Sequence, residues 1–289
     1  MPEEKTKLGY LYQRKAKNEK MIAGACEEAK EDVEVIRLDD VSFDTKNLDY
    51  WLQFRAILLR CVGHDKGLRA ASFLNGIGVA TVNSAEVTRN SGDKVITTAL
   101  LALNDVPQPR TVIAFSVEEA LAKMKEMGFP VVMKPGIGSW ARLINKINDF
   151  DAAEAVMEHK QVLGGPQHQT FLMQEYIDKP GRDIRTYVID GKVVAAIYRY
   201  SPGWITNTAR GGSAENCELT DELVKISQDA ANAVGGGAVA VDVFENAATG
   251  ELLVGEVNPT FEFHNSVPTT GVEIHKLLVN YFISEANKI

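Results

Sequence analysis

The stretch AVAVDVFENAATGELLVGEVNPT, residues 238–260, places two acidic residues inside apolar segments of strand length. Turn residues at 248–250 separate the segments 238–244 and 251–257, so we predict two antiparallel strands. Asp242 and Glu256 lie within these strands, where an unpaired charge costs several kcal/mol. The stretch therefore predicts a strand pair whose carboxylates are held by cations.

Two kinds of cation could neutralise these carboxylates. Mg²⁺ prefers hard oxygen ligands and usually takes one or two protein carboxylates, with substrate phosphates completing the octahedron. Asp242, Glu256 and the amide oxygen of Asn258 would supply such ligands. Alternatively, the acids pair with Arg185 or Arg199 in a structural network. Residue types alone leave both interpretations open.

Toward the N-terminus, apolar strands alternate with helices, which is typical of a small parallel sheet. Later in the chain, apolar strands with alternating residues and one further helix follow. The predicted strands lie at 8–12, 33–38, 56–61, 79–82, 111–114, 130–134, 171–177, 184–189 and 193–200, the last three as a meander, and the predicted helices at 18–30, 67–75, 86–103, 117–128 and 221–234.

This order predicts a mixed α/β chain with three subdomains. Residues 1–85 would form an N-terminal parallel α/β unit, residues 86–172 a central unit with a glycine-containing lid, and residues 173–289 an antiparallel unit with the metal site. The three cysteines are scattered without the spacing of a zinc or redox site.

A flexible loop follows Lys134, which ends an apolar strand. Its sequence, GIGSWAR at 136–142, lets backbone N–H groups approach phosphate oxygens and could close as a lid. Lys94 and Lys134 could neutralise phosphate charge, although a solvated helix face is the ordinary interpretation of Lys94. The loop lacks the Walker and Rossmann glycine patterns.

Two further segments favour nucleotide and acyl phosphate chemistry. The strand at 173–177 could offer its main chain to an adenine edge. Asp183 and Arg185 alternate onto one face of the next strand, and Arg185 and Arg199 could clamp tetrahedral oxyanions. The glycine-rich run 204–212 is either a plain connection or the site that holds an amino-acid substrate.

Composition restricts the partners. The net charge of −8 over 289 residues argues against nonspecific binding to nucleic acid or acidic membranes. The N-terminus lacks the long apolar segment of a signal peptide, and no stretch reaches the length that spans a bilayer. We therefore predict a cytoplasmic protein.

Taken in order, Lys94, the GIGSWAR loop, QEYI at 174–177, RDIR at 182–185, NTARGG at 207–212, AVDVF at 240–244 and GEVNPTFEFHNS at 255–266 resemble the ATP-grasp superfamily. Within it, the chain is similar over nearly its whole length to the ligases that act on the amino-group carrier protein LysW. RCVGHDKGLRAA at 60–71 and HNSVPTTGVEI at 264–274 carry this similarity.

The resemblance implies ATP as co-substrate, Mg²⁺ as cofactor, and a set of site residues. ATP would be bound by Lys94, Lys134, Gly138, Ser139, Trp140, Ala141, Arg142, Gln174, Glu175, Tyr176, Ile177 and Asp183, the metal by Asp242, Glu256 and Asn258, and the substrates by Arg199, Asn207, Thr208, Arg210, Glu262, Phe263, His264 and Asn265. Arg185 and Arg199 would be catalytic. The chain departs from relatives at Ala141, often Gly, and at His264, commonly Lys.

The resemblance also implies the reaction and partners. ATP would phosphorylate the γ-carboxylate of the C-terminal glutamate of LysW, and the α-amino group of α-aminoadipate would displace the phosphate. Glutamate is the main alternative acceptor, and dual specificity is open because one methylene discriminates weakly. More distant alternatives are a ribosomal-protein glutamate ligase and a non-catalytic ATP-binding protein. We expect a homodimer or homotetramer, and a basic entrance for the acidic carrier at Arg182, Lys192 and Arg210.

Overall fold

The computed structural model describes residues 7–138, 140–165, 168–206 and 212–288. These residues form a mixed α/β structure with three β-sheets. The first sheet contains β1 (Lys7–Tyr12), β2 (Val33–Arg37), β3 (Phe54–Arg60) and β4 (Ala80–Val82) in the order β2-β1-β3-β4. All its pairings are parallel, which confirms the predicted N-terminal parallel sheet.

Helices α1 (Lys17–Glu28), α2 (Asp49–Leu52) and α3 (His64–Gly76) connect these strands. Two helices then follow, α4 (Ala85–Gly92) and α5 (Lys94–Leu103), where we predicted one helical stretch over 86–103. The helix breaks at Asp93, whose backbone is extended and whose carboxylate accepts a hydrogen bond from the N–H of Val95. A capping residue thus starts a new helix, and Lys94 becomes its first residue rather than an internal one.

The second sheet is antiparallel and contains β5 (Thr111–Ala114), β6 (Val131–Lys134), β7 (Asn145–Ile147) and β8 (Phe171–Glu175) in the order β5-β8-β6-β7. Helices α6 (Val117–Met127) and α7 (Phe150–Leu163) accompany it. The predicted meander beginning with β8 is wrong, because β8 lies between β5 and β6. We propose to place the second subdomain boundary after Glu175 rather than at 172.

The third sheet contains β9 (Arg182–Ile189), β10 (Lys192–Tyr200), β11 (Ser213–Asn216), β12 (Ala238–Glu245) and β13 (Leu252–Asn258) in the order β11-β10-β9-β12-β13. Helices α8 (Asp221–Ala233), α9 (Ser266–Thr270) and α10 (Ile274–Ala286) complete the chain. The predicted antiparallel pair is confirmed, and Asp242 lies directly opposite Glu256.

The two faces of the third sheet differ in chemistry. One face is mostly apolar: Ile184, Val188 and Val241 are buried with side chains of α8, and the one polar pair shown there joins Thr186 to Ser227 of α8. The other face is apolar at one end, where Tyr187 and Ala240 join the core shared with α10 and the first sheet. At its other end this face carries charged side chains. The sheet therefore presents a polar area beside the junction with the first sheet.

Across the described residues, no helix is both long and apolar enough to cross a membrane.

Asn83, just after β4, joins the first sheet to the third. Its side-chain amide donates hydrogen bonds to the carbonyls of Ala238, at 2.7 Å, and Pro259, at 2.9 Å, and accepts one from the N–H of Ala238 at 2.7 Å. Asn83 is buried, so these backbone groups have little access to water as a substitute partner.

We expect Asn83→Ala to lower the free energy of unfolding by about 2–4 kcal/mol, because it leaves buried backbone groups unpaired. Urea denaturation measures this change. The control is Asn104→Ala, which removes an exposed side chain whose amide bonds only Leu100; it should cost about 0.5 kcal/mol or less. Equal losses in both variants would contradict the structural role of Asn83.

Candidate active site

A cavity of about 500 Å³ opens at the polar end of the third sheet. Residues from all three sheets and their loops contribute to its lining. The predicted site residues that line it are Lys134, Trp140, Ala141, Asp183, Arg185, Arg199, Asp242, Glu256, Asn258, Glu262, Phe263, His264 and Asn265. Most of the predicted site thus gathers around one cavity.

Asp242 lies at the centre of a charged network on the cavity floor. The Nε and Nη2 of Arg185 donate to its two carboxylate oxygens at 2.7 and 2.9 Å, and the Nη2 of Arg199 lies 3.1 Å from one of them. Arg199 also forms a two-point pair with Asp183, at 2.7 and 2.8 Å. Thr206 donates a further hydrogen bond to Asp183 at 2.5 Å. The network joins residues that lie opposite each other on three neighbouring strands. Arg199 on β10 lies opposite Asp183 on β9, and Arg185 on β9 lies opposite Asp242 on β12.

Burial and charge act in opposite directions on Asp242. Burial alone would raise the pKa of its carboxyl group, but the guanidinium groups of Arg185 and Arg199 outweigh it and hold that pKa below its ordinary value. Asp242 is therefore ionised at neutral pH. The ion-pair interpretation offered by the sequence is present in the structure for this residue.

Glu256 and Asn258 follow Asp242 on the same face. The Nζ of Lys94 lies 2.9 Å from a carboxylate oxygen of Glu256 and donates to the carbonyl of Gly138 at 2.9 Å. The start of α5 thus connects the base of the lid to β13. The side-chain Nδ2 of Asn258 is buried and has no hydrogen-bond partner among the described residues.

The donor set fits a magnesium ion that also binds phosphate. Asp242 and Glu256 face each other across two strands, and Asn258 lies two residues beyond Glu256, so their oxygens can converge. Within the described ranges, no three acidic, histidine or cysteine side chains gather as a metal site. Two carboxylates and one amide oxygen would leave coordination positions of an octahedral Mg²⁺ open for phosphate oxygens. This combination of ligands is the one that Mg²⁺ commonly takes in proteins.

Two lysines line the cavity opposite the carboxylates. The Nζ of Lys134 donates to Gln174 and lies 5.5 Å from the centre of the Phe244 ring; the Nζ of Lys179 lies 4.8 Å from the same ring and donates to Thr206 at 2.7 Å. Burial lowers the pKa of both lysines, that of Lys134 to about 8. Neither ammonium group has a close carboxylate partner among the described residues.

The floor of the cavity carries an excess of positive charge. The lining carries six cations, Arg14, Arg60, Lys134, Lys179, Arg185 and Arg199, and five carboxylates, Glu19, Asp183, Asp242, Glu256 and Glu262. Lys94, which lies just outside the lining, adds a seventh cation through its pair with Glu256. The resulting excess of two positive charges, in a chain of net charge −8, is the local basic pocket that an anionic ligand requires. A nucleotide triphosphate with one bound Mg²⁺ has the complementary charge.

The loop 261–266 forms another wall and is held by the N-terminal region. The buried side-chain oxygen of Asn18 accepts hydrogen bonds from the N–H groups of Phe263 and His264, both at 2.9 Å. Arg60 donates to the carbonyl of Phe261 at 2.7 Å, and the Tyr187 hydroxyl donates to the carbonyl of Glu262 at 3.0 Å. The predicted substrate loop is therefore fixed by residues of α1, the first sheet and the third sheet.

Other predicted residues lie elsewhere. Gln174, Glu175, Tyr176 and Ile177 do not line the cavity, and β8 is paired on both edges, so its main chain is not exposed as predicted. Free main chain begins only after Glu175, because β8 ends there. Arg142 is exposed and stacks on Trp140, with its guanidinium 5.2 Å from the ring centre. Ser139, Asn207, Thr208 and Arg210 lie outside the described residues.

The predicted basic entrance at Arg182 and Lys192 is wrong. Arg182 pairs with Glu245 at 3.0 Å and lies over the Tyr198 ring. Lys192 begins β10, at the opposite end of that strand from Arg199. The side chains do not form one surface because the strand separates them.

Sequence reasoning missed several residues of the cavity. Asn18, Arg60 and Lys179 all line it. Lys179 stands in the turn sequence IDKPG between β8 and β9, where a cation before proline and glycine was a usable signal. Asn18 and Arg60 gave no such signal, because their partners lie about 200 or more residues away in the chain.

Comparisons with known proteins agree with this geometry. Residues 91–282 match the RimK-like ATP-grasp domain, and residues 8–90 match the LysX preATP-grasp domain. The chain is 32% identical to glutamate–LysW ligase ArgX of Sulfurisphaera tokodaii, over 93% of this chain and 95% of the relative. It is 33% identical to alpha-aminoadipate–LysW ligase LysX of Sulfolobus acidocaldarius, over 79% of this chain and 83% of the relative.

Solved structures share the fold. A RimK domain ATP-grasp protein from Sphaerobacter thermophilus superimposes with a TM-score of 0.77 at 22% identity, covering 96% of this chain and 99% of that one. The ATP-grasp ligase PsnB, solved with a minimal precursor, Mg and ADP, gives a TM-score of 0.72 at 19% identity, covering 97% and 98%. The chain belongs to the RimK-like ATP-grasp family and is an ATP-dependent ligase that forms a carbon–nitrogen bond.

Proposed function

We propose that this enzyme joins the α-amino group of α-aminoadipate to the γ-carboxylate of the C-terminal glutamate of a LysW carrier protein. The observation that carries the proposal is the cavity with two excess positive charges around the Asp242 network, which suits Mg-ATP and an acyl phosphate. The likeness to LysW ligases over most of the chain supports the carrier.

Glutamate is the second candidate acceptor. The relative that acts on glutamate is covered over 95% of its length, against 83% for the aminoadipate relative. The two amino acids differ by one methylene, which is worth only about 1–3 kcal/mol of discrimination in a pocket. Two parts of the chain would set that preference. One is the cavity wall formed by 261–266, and the other is the segment 207–210, which the family resemblance assigns to the substrate.

In the proposed mechanism the protein supplies alignment and charge, with no covalent nucleophile. Asp242, Glu256 and Asn258 would hold Mg²⁺, which when bound neutralises phosphate charge. Lys94 and Lys134 would hold the nucleotide phosphates. An oxygen of the carrier carboxylate forms a bond to the γ-phosphorus of ATP while the bond between that phosphorus and ADP breaks. The product of this step is an acyl phosphate.

Arg185 and Arg199 would then stabilise the charge that develops on the acyl phosphate, because guanidinium groups match tetrahedral oxyanions. The substrate amino group attacks the acyl carbon, a carbon–nitrogen bond forms, and inorganic phosphate leaves while the nitrogen loses a proton. Asp183 and Thr206 keep Arg199 in place. The products are ADP, phosphate and the amidated carrier.

The proposed function leads to three predictions, of which the first concerns the substrates. With Mg-ATP and a LysW carrier, α-aminoadipate should stimulate ADP release, and mass spectrometry should show the carrier gaining the mass of aminoadipate less water. The control is a carrier that lacks its C-terminal glutamate. A higher kcat/KM for glutamate than for aminoadipate would reverse the proposed preference, and no stimulation by either would refute the proposal.

The second prediction concerns Asp242. We expect Asp242→Asn to lower kcat on the order of 10²-fold or more, because the variant loses a metal ligand and leaves two guanidinium groups without their shared carboxylate. Steady-state ADP release measures the loss, and circular dichroism checks the fold. Asp229→Asn, on the exposed face of α8, is the matched control and should keep wild-type turnover. Normal turnover in Asp242→Asn would contradict the assignment.

The third prediction concerns pH. The pKa of Lys134 is lowered to about 8 chiefly by burial and further by Lys94 and Lys179, while Glu256 and Asp242 oppose that shift. Above this pKa the ammonium group is lost, so ATP affinity should weaken about tenfold between pH 7 and pH 9. Calorimetric titration of ATP measures it. Lys134→Arg stays charged and should bind ATP with a flatter pH dependence; identical pH profiles would rule out Lys134 as the cause.

A further inference from the structure

Three side chains connect the second sheet to the cavity. The Nζ of Lys146, on β7, lies 3.6 Å from the centre of the Tyr176 ring. The rings of Tyr176 and Trp204 meet edge to face, with 6.4 Å between their centres and 65° between their planes. These residues are here called the Tyr176 cluster. The family resemblance assigns no role to Lys146 or Trp204, and it assigns Tyr176 to ATP.

The Tyr176 cluster begins on the face of the second sheet that carries Lys134. Lys146 lies opposite Val132 on β6, and Val132 lies opposite Gln174 on β8, so these side chains share a face. Lys134 lies two residues after Val132 and shares that face as well. Tyr176 follows Gln174 by two residues, just past the end of β8. One sheet therefore holds both the cluster and a predicted ligand of the ATP phosphates.

The other end of the cluster is a segment that lines the cavity. Trp204, Ile205 and Thr206 all contribute to the lining. Thr206 is buried; its hydroxyl donates a hydrogen bond to Asp183 at 2.5 Å and accepts one from the Nζ of Lys179 at 2.7 Å. This segment is therefore held at one end by the second sheet, through Trp204, and at the other end by β9 and the turn before it, through Thr206.

Side-chain contacts of this kind matter because the second and third sheets otherwise touch little. In the described part of the chain, no helix or strand among β5–β8, α6 and α7 packs extensively on the third sheet. A small interface between two units of one chain allows them to move relative to each other. The position of the segment 204–206 relative to Lys134 therefore depends on contacts such as those of the Tyr176 cluster.

We propose that the Tyr176 cluster positions the segment 204–206 for the amino-acid substrate. Lys146 and the Tyr176 side chain are positioning residues, and Trp204 is the part of the cavity wall that they hold. Neither Lys146 nor Tyr176 lines the 500 Å³ cavity, so both act through Trp204, which does. The inference rests on the proposed function, because the residues that follow directly in the chain, 207–210, are assigned there to the amino acid. Loss of either positioning side chain loosens amino-acid binding and leaves ATP binding largely unchanged.

The test compares two KM values in Lys146→Ala and Tyr176→Ala, one for ATP and one for the amino acid that the wild type uses, by ADP release at saturating carrier. Each variant should raise the KM for the amino acid on the order of tenfold, because a wall residue that is no longer held misplaces the bound substrate. The KM for ATP should stay within about twofold, because neither side chain lines the cavity and the main chain of Tyr176 is retained. Tyr176→Phe keeps the ring and should keep the wild-type KM for the amino acid.

The matched control is Lys125→Ala, which removes a lysine whose Nζ lies 5.8 Å from the centre of the Phe150 ring, in the same unit of the chain. This variant should keep both wild-type KM values. Circular dichroism checks the fold of every variant. If Tyr176→Ala does not fold, Lys146→Ala decides the test, because it changes only a half-buried lysine.

The outcomes separate the positioning role from the proposed function. If Lys146→Ala and Tyr176→Ala raise the KM for ATP as much as that for the amino acid, or more, the cluster contributes to nucleotide binding and the positioning role is wrong. Wild-type values of both constants in these variants would overturn it as well. A wild type that uses neither α-aminoadipate nor glutamate would instead refute the proposed function.

Discussion

The buried carboxylate of Asp242, held between Arg185 and Arg199, is the interaction on which the site depends. A carboxylate removed from water requires compensation, and here two guanidinium groups on neighbouring strands supply it. Because Arg199 also binds Asp183, three strands of the third sheet are tied into one charged layer. If one of these strands shifted its pairing by one residue, its charged side chains would move to the apolar face beneath α8. The charged network and the apolar core therefore favour the same pairing register.

The same network balances most of the charge of the cavity with groups of the protein itself. Glu256 is paired with Lys94, and Asp242 is paired with Arg185 and Arg199, so both carboxylates have cationic partners within the protein. Lys134 and Lys179 have amide, aromatic and hydroxyl neighbours and, within the part of the chain that the structure describes, no close carboxylate. The ion-pair and metal interpretations of these acids are compatible, since a carboxylate that binds a guanidinium with two oxygens can still offer lone pairs to a metal.

The N-terminal region contributes to the site by holding the loop 261–266. Asn18 binds two of its N–H groups, Arg60 binds one of its carbonyls, and Asn83 binds the carbonyl of Pro259 just before it. These are buried hydrogen bonds between segments that lie far apart in the sequence, and they fix a wall of the cavity that would otherwise be a free loop. The N-terminal region therefore contributes directly to a wall of the candidate active site.

The sequence by itself determined the features that depend on local periodicity. The alternation of side chains along a strand predicted that Asp183 and Arg185 share a face. Two apolar segments with a turn between them predicted the antiparallel pair in which Asp242 lies opposite Glu256. The alternation of strands and helices near the N-terminus predicted the parallel sheet. The family resemblance added ligand roles that periodicity does not reach.

Only the tertiary structure decided which distant segments meet. The insertion of β8 between β5 and β6, the pair between Lys94 and Glu256, and the contact of Asn18 with the loop 261–266 depend on packing between elements far apart in the chain. Local pattern carries no information about such pairings, because their free energy comes from burial shared by both partners. The break at Asp93 shows the same limit at short range, since a capping hydrogen bond overrode a continuous helical pattern.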